Sequence, residues 1–191
     1  MVIARWGFGG DSCERPLACS RHHIFVVSPF DEWDCLTCFD RFGKQIWEFP
    51  FHSRIRSWEI RGDWLFVFSN GFFGEECFFS CIDPLKGTFL WEWPFRSKII
   101  SWGIGCDLVF IFSEGCDGAG FFFTCIHPIH GRVLWELPFL STIVSWEVAD
   151  DCLFIFSREC FGTTHHLTCI HPLTGKMLWE RALLGSQLTD W

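Results

Sequence analysis

Apolar residues fall along this chain in short runs, each closed by Gly, Asp, Pro or a charged side chain. Between 96 and 139 the runs are "IISWGI", "LVFIFS", "FFFTCI" and "RVLWELPF". Their Phe, Ile, Val and Trp content and turn punctuation predict four short β-strands. No stretch keeps a 3.6-residue period over a helical length. The second and third runs are apolar at nearly every position rather than alternating. Such strands are buried on both faces of their sheet.

The same four runs recur. Trp47, Trp91, Trp135 and Trp179 are spaced 44 residues apart, as are Gly43, Gly87, Gly131 and Gly175, and Glu48, Glu92, Glu136 and Glu180. Trp58, Trp102 and Trp146 keep the same step, with Asp63, Asp107 and Asp151 and with Ser69, Ser113 and Ser157. This sets units at 52–95, 96–139 and 140–183. A looser unit, 1–51, comes first: "IARWGF" at 3 parallels "IRSWEI" at 55, and "HHIFVVS" at 22 parallels "DWLFVFS" at 63. The stretch 9–20, "GGDSCERPLACS", reads as an insertion between them. Residues 184–191 form a tail. Repeated four-stranded units with both faces buried predict an all-β fold, a single β-propeller domain over 1–183 with four four-stranded blades.

Each unit carries a version of "CIDPLKGTFLWE", here from residue 81. Asp83 and Pro84 suit the opening of a tight turn, and Gly87 supplies a left-handed residue. His127 and His171 take the place of Asp83. Pro50, Pro94 and Pro138 end the fourth strand, where a missing N–H is tolerated at a sheet edge.

This run resembles the repeat of quinoprotein-type (PQQ-like) propellers, A-x-D-x-x-T-G-x-x-x-W, most closely over 140–183. Cys81, Cys125 and Cys169 stand where that family often has Ala. The resemblance implies that Trp47, Trp91, Trp135 and Trp179 dock one blade on the next. The family's enzymes bind pyrroloquinoline quinone and calcium within typically eight blades, often beside a vicinal Cys–Cys pair and an Asn ligand. This chain has four units, no Cys–Cys pair and one Asn, Asn70. The repeat carries over and the active site does not, so no cofactor, metal or catalytic residue is assigned.

Charge narrows the partners. The 191 residues carry a net charge of −8, which opposes binding to duplex nucleic acid or an anionic membrane. No run reaches the ~18 apolar residues of a membrane-spanning helix, and the first thirty residues lack a signal-peptide pattern. The expectation is a cytoplasmic protein. Its 24 Phe, 12 Trp and 12 Cys beside no Tyr fit a T- and G-rich coding bias.

The chemically suggestive residues read as construction. Cys38, Cys81, Cys125 and Cys169 hold one strand position in four sheets. Packed sheets stand about 10 Å apart, beyond the reach of a disulfide. Cys35 and Cys38 form a lone C-x-x-C without the second ligand pair that zinc needs. Cys13 and Cys19 are the freest candidates for a metal or disulfide. The pairs His22–His23 and His165–His166 point to opposite strand faces. Glu48, Glu92, Glu136 and Glu180 recur too symmetrically for catalysis.

The expected function is therefore a non-enzymatic protein–protein interaction scaffold. The alternatives are a small-ligand sensor or carrier using the central channel, or a degenerate quinoprotein-like enzyme. The four blades either close on themselves, bringing the strand near Trp6 to the last blade near Trp179, or form half of a larger ring as a homodimer. Partner contacts are expected where the repeats disagree, at 9–20 and in the loops 70–76, 114–120 and 158–166.

Overall fold

The computed structural model describes residues 2–3, 5–6, 16–71, 76–95, 97–115, 120–159 and 163–183. These residues form strands and turns, with no helix among them. The strands are β1 (Val2–Ile3), β2 (Arg5–Trp6), β3 (Leu17–Cys19), β4 (His23–Phe30), β5 (Trp33–Asp40), β6 (Gln45–Phe51), β7 (Arg54–Arg61), β8 (Trp64–Asn70) and β9 (Cys77–Asp83). There follow β10 (Thr88–Phe95), β11 (Lys98–Gly105), β12 (Leu108–Glu114), β13 (Phe121–Ile126), β14 (Val133–Phe139), β15 (Thr142–Ala149), β16 (Cys152–Arg158), β17 (His165–Ile170) and β18 (Met177–Leu183). They build four antiparallel sheets, each with the four strands of one repeat.

The chain divides into two compact units. One comprises 7–98 and 129–131 and holds the sheets β3-β4-β5-β6 and β7-β8-β9-β10. The other comprises 1–6, 99–128 and 132–191 and holds β11 to β14, with β2 added beside β11, and β15 to β18, with β1 added beside β15.

Turn chemistry explains where the strands stop. Cys106 and Asp107 have φ of 49° and 55°, and Asp150 and Asp151 have 48° and 58°. Two successive left-handed residues make the tight hairpin whose twist matches the flanking strands. Asp tolerates that region better than most residues. After the third strand, the Gly87 amide donates to the Asp83 carbonyl at 2.8 Å, and the Gly175 amide to that of His171 at 2.9 Å. The Asp83 carboxylate also accepts from the amides of Leu85 and Lys86 at 2.9 and 3.2 Å. At His171 the turn is closed by the backbone. A register shift follows beside the repeated Trp in all four sheets.

The unbroken apolar runs become central strands. β8 and β12 are buried along nearly their whole length, as strands with both faces covered must be. In the first unit Phe25, Leu36 and Cys38 pack with Ile55, Leu65 and Val67. In the second, Phe110, Phe112 and Phe123 pack with Ile143, Leu153 and Ile155. Each such Phe contributes about 1.5–3 kcal/mol through burial. β16 differs, because burial alternates along it: Phe154 and Phe156 are only half-covered.

An ion pair between a buried carboxylate and a half-buried arginine joins the first two sheets. Asp34 is 6% exposed. Its Oδ1 accepts from Arg54 Nη1 at 2.9 Å and its Oδ2 from the Ile55 amide at 2.7 Å. No other repeat has an acid at this position; Cys77, Phe121 and His165 stand there.

The amino-terminal segment departs from the sequence reading. "IARWGF" is not the first strand of the first sheet. Arg5–Trp6 pairs with Ser101–Trp102 of β11, and Val2–Ile3 pairs with Glu147–Val148 of β15. The strand near Trp6 thus joins the third sheet, while the fourth sheet receives Val2–Ile3 along β15 rather than beside Trp179. The edge strand of the first sheet comes instead from Leu17–Cys19, inside the stretch read as an insertion. Edge strands offer unpaired N–H and C=O groups to any extended segment within reach. Tertiary proximity therefore outweighed a six-residue similarity.

Candidate functional site

The repeated motif builds a repeated joint. Trp47 Nε1 donates to the Pro84 carbonyl at 3.0 Å, and Trp135 Nε1 to that of Pro172 at 2.8 Å. The indole lies flat on the turn glycine. A Cβ added at Gly87 would stand 2.5 Å from Trp47, at Gly131 2.6 Å from Trp91, and at Gly175 2.7 Å from Trp135. Only a residue without a side chain admits the ring. Beside the joint lie the repeated cysteines, paired across strands with the Trp of their own sheet. Cys125 Sγ lies 3.6 Å from the Pro172 carbonyl. Burial pushes the Cys38 and Cys169 thiols up to about 11, and Cys81 and Cys125 up to about 12. For Cys169 the neighbouring Cys152 thiol adds to the effect. Thiols so far from ionising are packing groups, not nucleophiles. The repeated glutamates are also committed: Glu92 accepts from Ser80 at 2.9 Å, Glu136 from Thr124 at 3.0 Å and Glu180 from Thr168 at 3.1 Å.

A cleft lies in the second unit. With a volume of about 940 Å³, it runs between the end of β14 and the sheet β16-β17-β18. Its apolar wall includes Leu137, Phe139, Leu140 and Met177, and its polar wall Glu159, His166 and Glu180. His166 Nε2 lies 3.2 Å from Glu159 Oε1, and its Nδ1 lies 3.6 Å from Glu180 Oε1. One imidazole thus sits between two carboxylates, one on each ring nitrogen. At the positions of His166 the second and third repeats carry Phe78 and Phe122, and at that of Glu159 they carry Gly71 and Gly115. The cleft offers apolar surface beside carboxylate acceptors, which suits a partner group that is apolar in body and a hydrogen-bond donor at its tip.

No protein-family model matches the sequence, and no curated protein does. Solved structures do match. The quinohemoprotein alcohol dehydrogenase of Pseudomonas putida HK5 superposes with a TM-score of 0.62 at 12% identity, over 94% of this chain and 36% of that one. The fold is that of a β-propeller. Its blades also resemble those of Sqt1 from Saccharomyces cerevisiae, with a TM-score of 0.52 at 12% identity over 85% of this chain and 44% of that one. BamB from Moraxella catarrhalis gives 0.49 at 13% identity over 84% and 58%. The chain spans between 36% and 58% of the length of these three structures.

The remaining candidates separate on the propeller blades. Cys35 and Cys38 are three residues apart on β5 and so face opposite sides of the first blade. Cys35 Sγ lies 3.5 Å from the Phe49 carbonyl, and its thiol is raised by burial and then by Glu48. Cys19 is exposed on β3 and free; Cys13 lies outside the described residues. His23 packs on Phe25, with ring centres 6.2 Å apart. His165 stacks on Phe156 at 5.2 Å, on the face of β17 opposite His166. Among the described residues no group of three or more His, Cys, Asp or Glu is placed to hold a metal ion.

Of the stretches where the repeats disagree, 9–15, 72–75, 116–119 and 160–162 lie outside the described residues. The described flanks of the last loop contain Glu159 and His166, which line the cleft. In the sequence His166 reads only as half of a tandem pair. The usable signal was its replacement of Phe78 and Phe122.

Proposed function

We propose that this protein is a non-enzymatic interaction scaffold that holds a protein partner through surfaces where its blades differ. One observation carries the reading: groups that suggest chemistry in the sequence perform the same structural task in successive blades. Three glutamates take a hydroxyl proton donor in β9, β13 and β17, and four thiols lie buried under the docking Trp. A device repeated at every joint serves the joint. The cleft at His166 is the surface offered to the partner, with Leu140, 88% exposed, at its rim. Free thiols throughout the described residues support work in a reducing compartment such as the cytoplasm.

The test is affinity capture from the native cell with quantitative mass spectrometry, using wild type, Leu140→Ser and His166→Ala. A defined protein retained by wild type and lost from both variants supports the proposal. Retention by both variants, or turnover of a metabolite by the purified chain, refutes it.

The cleft volume also favours a second reading, a small-ligand sensor or carrier that uses this cleft. A metabolite that raises the melting temperature of wild type but not of His166→Ala would select it, because binding to the native state alone stabilises that state. Pyrroloquinoline quinone with calcium belongs in the same screen, as the probe for a degenerate quinoprotein-like enzyme.

A further inference from the structure

Inside the chain a joint is made of two halves. One blade supplies a tail half: the docking Trp and an apolar face behind it. The next supplies a head half: a turn with a bare glycine, a carbonyl for the indole N–H, and a facing apolar surface. Gly87, Gly131 and Gly175 each receive the Trp of the preceding blade. All three are buried.

Two halves remain over. Trp179 is 41% exposed, and its neighbours Met177 and Leu178 are 53% and 48% exposed. Its indole N–H finds no acceptor among the described residues. Behind it, Phe154, Phe156 and Leu167 are half-buried, although their counterparts Phe110, Phe112 and Phe123 are at most 1% exposed. At the other end, Gly43 is exposed and nothing stands within 4 Å of where its Cβ would be. Beside it Phe42 is 80% exposed. In the sequence Arg41 aligns with Pro84, in a turn one residue shorter whose Gly43 amide donates to the Asp40 carbonyl at 3.1 Å. The face behind this turn carries Ile24, Val26 and Phe39, all half-buried, against 0–1% exposure for Leu65, Val67 and Ile82.

We infer that this chain self-associates head to tail: Trp179 of one copy docks on the Gly43 turn of a second, its indole N–H donating to the Arg41 carbonyl. The occupant is specified by the molecule itself, because the chain already makes this joint internally and carries one unused example of each half. The surface is heterologous, joining two different patches, so two copies that close on each other make two identical joints. This inference does not rest on the scaffold reading and survives if no other protein binds.

Light scattering coupled to gel filtration on the purified chain reads it directly, with circular dichroism as the folding control. Wild type is expected to associate, and Trp179→Ala to raise the dissociation constant about thirtyfold or more, as loss of a central interface Trp does. Gly43→Asn is expected to weaken association similarly: Asn tolerates a left-handed φ, yet its side chain fills the site the indole needs. Mixing the two variants restores one intact joint, Trp179 of the Asn variant on Gly43 of the Ala variant, so a 1:1 pair should form. A wild-type monomer overturns the inference, whether its ends are closed within the chain or await another protein. An assembly that both substitutions leave unchanged overturns it equally.

Discussion

The joint makes a quantitative demand on its glycine. Gly87 has φ of +67° and lies under Trp47, so Gly87→Ala combines two costs. An alanine in the left-handed region costs about 1–2 kcal/mol relative to glycine. The new methyl would meet ring atoms at 2.5, 2.8 and 2.8 Å, where carbon atoms rest at about 3.5–4.0 Å. The indole must withdraw by about 1 Å, an overpacking that costs about 1–3 kcal/mol. Its hydrogen bond to Pro84, worth about 0.5–1.5 kcal/mol net, weakens as it moves. The sum is about 2–6 kcal/mol. Gly43→Ala is the matched control, with φ of +83° and nothing within 4 Å, so it should cost only the backbone part, about 1–2 kcal/mol. Urea unfolding followed by tryptophan fluorescence measures both, in a Trp179→Ala background that keeps self-association out. A shift in midpoint at unchanged slope isolates stability. Equal losses for the two alanines would refute the idea that the indole, rather than the turn, requires Gly87.

Two further outcomes test the interior. The thiols of Cys38, Cys81, Cys125 and Cys169, raised to about 11 or 12, ionise near 8.5 when unfolded. Their neutral forms favour the folded state fully below that value. This contribution is lost as pH climbs toward 11–12, at up to ~1.4 kcal/mol per thiol per pH unit. Urea midpoints should therefore fall above pH 9 and fall less in Cys81→Ala; a flat profile to pH 10.5 would contradict the burial argument. Asp34→Ala removes the acceptor of the Ile55 amide and the partner of Arg54, and should cost about 2–4 kcal/mol. A loss under about 0.5 kcal/mol by the same assay would mean that water replaces the carboxylate.

The Glu92, Glu136 and Glu180 side chains show how far a repeat can be read. Their 44-residue spacing marked them as structural, and in the fold each takes the hydroxyl of Ser80, Thr124 or Thr168. The partner hydroxyls were also in register, one strand earlier, but cross-strand register is not written in spacing alone. His166 shows the opposite case. It belongs to a histidine pair whose two members face opposite ways, so the dipeptide concealed two separate roles. Only its departure from Phe78 and Phe122 marked it out.

Outside the first repeat's opening strand, the amino acids alone determined the strands, the turns that end them and the four-fold repetition, because these are local properties. An unbroken Phe and Ile run calls for cover on both faces, and a left-handed turn favours Gly or Asp wherever it occurs, with Cys106 the exception at φ 49°. Tertiary structure decided which sheet edges Val2–Ile3 and Arg5–Trp6 complete. It also placed Asp34 under Arg54, set His166 between Glu159 and Glu180, and left Trp179 and Gly43 uncovered. Each of these outcomes joins or separates residues on different strands. It depends on register and on the stacking of one sheet against another, which no local pattern encodes.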